Sequence, residues 1–72
     1  MGEIMSEIKK GTILYRLRNN KIQEVEVYDI YLEKYINGYK TIIKVFKTGE
    51  EVKFIETYYA SDIGNVLLEE VS

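Results

Sequence analysis

Seventy-two residues, 46% hydrophobic and 31% charged, make one small globular domain near the lower size limit at which a core sustains itself. The chain has no cysteine, histidine, proline or tryptophan, which removes disulfides, the thiolate nucleophile, the imidazole base and the usual zinc ligands. Ten basic residues against twelve acidic ones leave a net charge of −2, too little positive charge for a generic polyanion binder.

Residues 1–10 read as a leader, mobile or helical, with Ile4, Met5 and Ile8 at roughly helical spacing. They lack the basic-then-apolar layout of a signal peptide, and no stretch approaches the roughly 20 apolar residues of a membrane span. A cytoplasmic setting in a bacterial host, without membrane contact, is the expectation.

Residues 11–72 read as a single β-barrel-like domain. Ile13, Tyr15 and Leu17 alternate with Leu14, Arg16 and Arg18, giving a first strand. Asn19-Asn20-Lys21 signals a tight turn, because asparagine tolerates positive φ. Ile22 to Leu32 gives a long second strand, whose apolar set switches parity from Val25 and Val27 to Tyr28, Ile30 and Leu32. Such a switch predicts a β-bulge. Asn37-Gly38 marks the next turn, Lys40 to Lys47 a third strand and Thr48-Gly49-Glu50-Glu51 a hairpin turn. Val52 to Tyr59 makes a fourth strand, and Val66-Leu67-Leu68 a fifth strand or a last helical turn. The pattern predicts an all-β fold, a small five-stranded SH3-like or open barrel. Tyr28, Tyr31, Leu32 and Tyr35 also share a helical face, so an α+β fold with a helix near residues 28–35 is the alternative.

The hairpin turn predicts that Lys47 faces Val52, Val45 faces Phe54 and Ile43 faces Glu56, with Ile43 and Phe54 in the core. Lys40, Lys44 and Lys53 then interleave with Phe46 and Tyr59 on the opposite sheet surface. Basic residues around aromatic platforms suit nucleotides or single-stranded nucleic acid. The plainer alternative is lysines shielding an apolar face. Arg16 and Arg18 project to one side and could clamp an anion; the simpler expectation pairs them with Glu24 and Glu26 across the turn. Tyr28, Tyr31, Tyr35, Tyr39 and Tyr59 offer rigid amphipathic area for a protein partner or for self-association into a homo-oligomer.

Catalytic chemistry has few candidates. Glu24/Glu26 and Glu50/Glu51 sit on a solvent face and a hairpin tip, where nothing desolvates them. Asp29 and Asp62 have no nucleophile or metal partners. The expectation is a non-enzyme that carries no cofactor and no metal.

Ser61-Asp62-Ile63-Gly64, followed by Val66-Leu67-Leu68-Glu69-Glu70, resembles the tail of small uncharacterised proteins of Firmicutes and their phages. Those join a β-rich body to a D-I-G-x-x-V-F-L-T-x-E-E-A-like segment; here Leu replaces Phe and the spacing is shorter. The resemblance covers residues 61–70. It implies a phage or mobile-element accessory protein that binds, and could inhibit, a host defence or replication component. A structural subunit of a phage particle is the other role it admits.

Overall fold

β-branched and aromatic residues dominate the described chain, and the backbone follows them into extended structure. The computed structural model describes residues 8–63. Four antiparallel strands lie in sequential order in one sheet: β1 (Ile13–Arg18), β2 (Lys21–Tyr35), β3 (Gly38–Lys47) and β4 (Glu56–Tyr59). A 3-10 turn, Ala60–Asp62, follows β4. The all-β expectation holds. The fifth strand expected at Val66-Leu67-Leu68 falls outside the described residues, as does most of the leader. Ile8 of that leader packs against the core.

Asn19 and Asn20 both adopt left-handed conformations, with φ of 55° and 61°, and close the β1–β2 hairpin with Arg18 opposite Lys21. Two consecutive left-handed residues match the right-handed twist of the flanking strands, which explains the asparagine pair. The β2–β3 ladder shifts register between Val27 and Asp29, where the parity switch places a bulge. Residues 28–35 are therefore strand, and the helical alternative is set aside. The bulge also explains the ambiguity. Its extra residue puts Tyr28 on the same sheet face as Tyr31 and Tyr35, the three positions a helix would also have aligned.

One face of the sheet carries the core. Leu14, Val25, Val27, Ile43 and Val45 are buried together, and Ile30, Tyr58, Ala60 and Ile63 pack against them. Arg16 is buried on this same face, at 4% exposure. Its guanidinium donates to Glu56 Oε1 at 2.6 Å and to the Tyr58 hydroxyl at 3.1 Å. In a flat sheet, three strand spacings of about 4.8 Å would hold β1 and β4 apart. Contact between their side chains means that the sheet curls, drawing its two edge strands toward each other over the core.

The β3–β4 connection departs from the expected hairpin. β4 begins at Glu56, not Val52, and the strands pair Val45 with Glu56, Ile43 with Tyr58 and Ile42 with Tyr59. Every residue of β4 is two positions from its expected partner. Phe54, expected in the core, is 71% exposed. The reason is electrostatic: buried Arg16 needs a carboxylate, and this register brings Glu56 to it where Phe54 would otherwise stand. A slip of two preserves which side each residue faces, so the two faces of the hairpin keep their expected composition.

Candidate binding surface

The sheet face away from the core is aromatic and of mixed charge, with Glu24, Glu26, Asp29 and Glu33 of β2 beside its lysines. β2 contributes Tyr28, Tyr31 and Tyr35, β3 contributes Lys40, Ile42, Lys44 and Phe46, and β4 contributes Thr57 and Tyr59, by alternation along the paired strands. Ile42 and Phe46 are buried and form a thin second apolar layer. Tyr28 packs edge-on against Phe46, with centroids 6.4 Å apart at 78°.

Each lysine of the surface is engaged with its own neighbours. Lys40 Nζ lies 4.9 Å from the Tyr35 ring centroid and 5.1 Å from that of Tyr59. The hydroxyls of these two tyrosines share a hydrogen bond of 3.4 Å. Lys53, from the β3–β4 connection, caps the Phe46 ring at 4.6 Å. Lys44 donates to the Thr57 hydroxyl at 2.9 Å. The hydrogen bond with Tyr59, with help from partial desolvation and the Glu33 charge, pushes the Tyr35 hydroxyl up to about 12. The phenol thus stays protonated at any physiological pH.

The surface gathers Tyr28, Tyr31, Tyr35, Tyr59, Phe46, Lys40, Lys44 and Lys53. Three other candidates lie elsewhere. Tyr39 pairs with Lys34 and alternates onto the core side, near the tip of the β2–β3 hairpin, where it is 66% exposed. Arg16 and Arg18 both bind Glu56, the latter at 3.1 Å with its side chain 47% exposed, so the two guanidiniums converge on an internal carboxylate. Their expected partners Glu24 and Glu26 do not meet them. Tyr15 faces Glu24 and Ile13 faces Glu26, on the opposite side of the sheet from the arginines. Arg16 lies across from Gln23, which accepts from its Nε at 3.0 Å.

Glu56 and Tyr58, the partners of Arg16, were not legible as a cluster in the sequence. The only signal was an arginine at a position that alternation assigns to the core side. Burial alone lowers the Arg16 pKa, but the bonds to Glu56 and Tyr58 and the Glu56 charge together outweigh it, so the net shift is upward. The hydrogen bond from Arg16 holds the Glu56 carboxyl below the usual carboxylate range, against a smaller opposing effect of burial. Among the described residues no three histidine, cysteine, aspartate or glutamate side chains gather as a metal-binding group. No described helix is long and apolar enough to cross a membrane.

No family model, curated protein or solved structure matches this chain. The geometry of the surface therefore carries the functional argument by itself.

Proposed function

We propose that this chain is a non-enzymatic binding module whose aromatic sheet face engages a protein partner. The observation that carries the reading is the division of labour among the aromatic rings. Lys40 and Lys53 already cover faces of Tyr35, Tyr59 and Phe46, the surfaces on which nucleobases would stack. Tyr28 and Tyr31 stay 52% and 38% exposed on a long, rigid strand. Exposed tyrosines with restricted backbones, set among carboxylates and engaged lysines, suit a protein interface. The resemblance at residues 61–70 supports a phage or mobile-element setting, and inhibition of a host component is the specific form we favour.

A second reading, binding of a nucleotide or single-stranded nucleic acid, draws on the three ammonium groups of Lys40, Lys44 and Lys53 along one face. The finer fold we infer is an open, SH3-like barrel. The long β2, which serves β1 with its first half and β3 with its second, supports that inference, as does the curl over the core. Residues 66–68 would supply its closing strand.

The test compares the wild-type protein with a Tyr28→Ser/Tyr31→Ser variant as bait in a bacterial lysate. A stoichiometric protein retained by the first and lost by the second is the expected result. A parallel anisotropy titration uses labelled oligothymidine at two salt concentrations. Salt-sensitive binding there, lost in a Lys40→Glu/Lys44→Glu/Lys53→Glu variant, would replace the protein-partner reading with the nucleic-acid one.

A further inference from the structure

Beyond Val27 β2 runs on without an outer neighbour among the described residues, and β3 keeps its own only as far as Ile42. β1 pairs with β2 only as far as Glu26. Val27 then makes the last bonds on that side: its N–H donates to Thr12 and its carbonyl accepts from Gly11, each at 2.9 Å. β4 covers β3 only from Ile42 to Val45. The end of the β2–β3 hairpin, from Leu32 and Thr41 to the turn, thus projects as a two-stranded ribbon, and among the described residues no strand pairs with the open side of β2 after the bulge. Two-stranded ribbons are marginal in water, and an uncovered edge invites a further strand.

The hydrogen-bonding direction of that edge follows from the ladder. Thr48 N–H donates to the Glu24 carbonyl, so the even-numbered residues of unbulged β3 turn their backbone groups toward β2. Their partners after the bulge are Tyr31 with Ile42, Glu33 with Lys40 and Tyr35 with Gly38. Ile30, Leu32 and Lys34 consequently point their N–H and C=O groups outward. The Asp29 carboxylate accepts from the Ile30 N–H at 2.9 Å, which confirms that this donor is outside the ladder. Asp29 protects only that first donor. Leu32, in the middle of the edge, is 66% exposed.

We propose that this edge pairs with the same edge of a second copy, antiparallel along residues 30–34, about a two-fold axis at Leu32. The occupant is argued from charge. With Leu32 facing its own copy, Ile30 faces Lys34, Tyr31 faces Glu33 and Asp29 faces Tyr35, so no like charges are opposed. All three outward residues find hydrogen-bonding partners in this register, the Ile30 N–H by exchanging the Asp29 carboxylate for the Lys34 carbonyl of the second copy. Sliding by two residues in one direction sets Glu33 against Glu33, and in the other sets Asp29 against Glu33, both unfavourable. A two-fold pairing of this kind is closed and self-limiting. It also keeps the faces in order, so the two tyrosine surfaces come to lie on the same side of a joined sheet and bind bivalently. The edge itself uses backbone groups and Leu32, and its pairing is independent of what the tyrosine face binds.

The chain has no native cysteine, so a single introduced thiol reports the register cleanly. Facing residues of a hydrogen-bonded antiparallel pair lie about 5.5 Å apart at Cα, within disulfide reach. Light scattering of the full chain over low to high micromolar concentration should give a mass that doubles. Under mild oxidation Leu32→Cys should form a covalent dimer, whereas Lys34→Cys, four residues from its own copy in this register, should not. Leu32→Lys, which puts like charges on the axis at an exposed position, should restore the single-chain mass with unchanged circular dichroism. A wild-type mass of one chain at the highest concentration overturns the proposal and assigns the edge to the leader or to another protein. Cross-linking of Lys34→Cys as readily as Leu32→Cys, or a dimer that survives Leu32→Lys, overturns it as well.

Discussion

Arg16 organises more of this molecule than any other side chain. It is buried on the core face, and its charge is met by Glu56 from the far edge of the sheet, with Tyr58 and Gln23 each accepting one further bond. Removing the carboxylate leaves a buried cation without its counter-charge. Glu56→Gln should therefore destabilise the fold by about 2–4 kcal/mol, somewhat under the usual figure for a buried pair because Glu56 keeps solvent contact. Denaturant titration at neutral pH measures it. Arg16→Met combined with Glu56→Leu should recover most of the loss, because neither charge then needs desolvating. The pH dependence has a definite sign. The folded-state pKa of Glu56 is lowered, so its contribution is complete above the ordinary carboxylate value of about 4.3 and is lost as pH falls through the depressed folded value. The stability of the wild type should decline on acidification below about pH 4.3, and the Glu56→Gln variant should lack that component. Equal acid sensitivity in the two proteins would assign the effect to other carboxylates.

The secondary elements differ in how local their causes are. The β1–β2 turn is set by two adjacent asparagines, and the bulge by a change of hydrophobic parity within β2; both are local. The turn depends on its left-handed residues, so Asn20→Ala should cost about 1–2 kcal/mol, whereas Asn20→Gly should be nearly neutral. The β3–β4 pairing is different in kind. The tight-turn signal at Thr48-Gly49-Glu50-Glu51 favours an early return, but the chain waits until Glu56 can reach Arg16. Core truncation discriminates the two registers. Ile43→Ala should cost about 2–5 kcal/mol, as buried aliphatic truncations do. Phe54→Ala, at an exposed position, should stay within about 0.5 kcal/mol of the wild type. Thermal or denaturant melts of both variants measure the contrast, and a large loss at Phe54 would restore the tight-hairpin register.

For the molecule as a whole, the sheet has two useful sides and one open edge. One side holds the core and its ion pair, the other holds the tyrosine and lysine surface, and the edge of β2 after the bulge has no strand partner among the described residues. The surface tyrosines are peripheral to stability. Tyr28→Ser/Tyr31→Ser should cost no more than about 2 kcal/mol, mostly from the Tyr28 contact with Phe46. A melt that keeps most of the wild-type stability would license that variant as a binding probe.

The sequence by itself determined what depends on neighbours in the chain: the β class, the β1–β2 and β2–β3 turns, the parity switch at the bulge, and the side of the sheet on which the residues of β3 and β4 lie. Alternation has a period of two, so these assignments survived a register slip of two, and Lys40, Lys44, Lys53, Phe46 and Tyr59 still met on one face. Tertiary structure alone decided the partners. Forty residues separate Arg16 from Glu56, and only the curl of the sheet brings them within hydrogen-bond distance. The same contact engaged Arg16 inside the fold, left Phe54 out of the core and accompanies the register of β4. A buried charge must find its counter-charge wherever the fold can supply one, and no local pattern encodes where that will be.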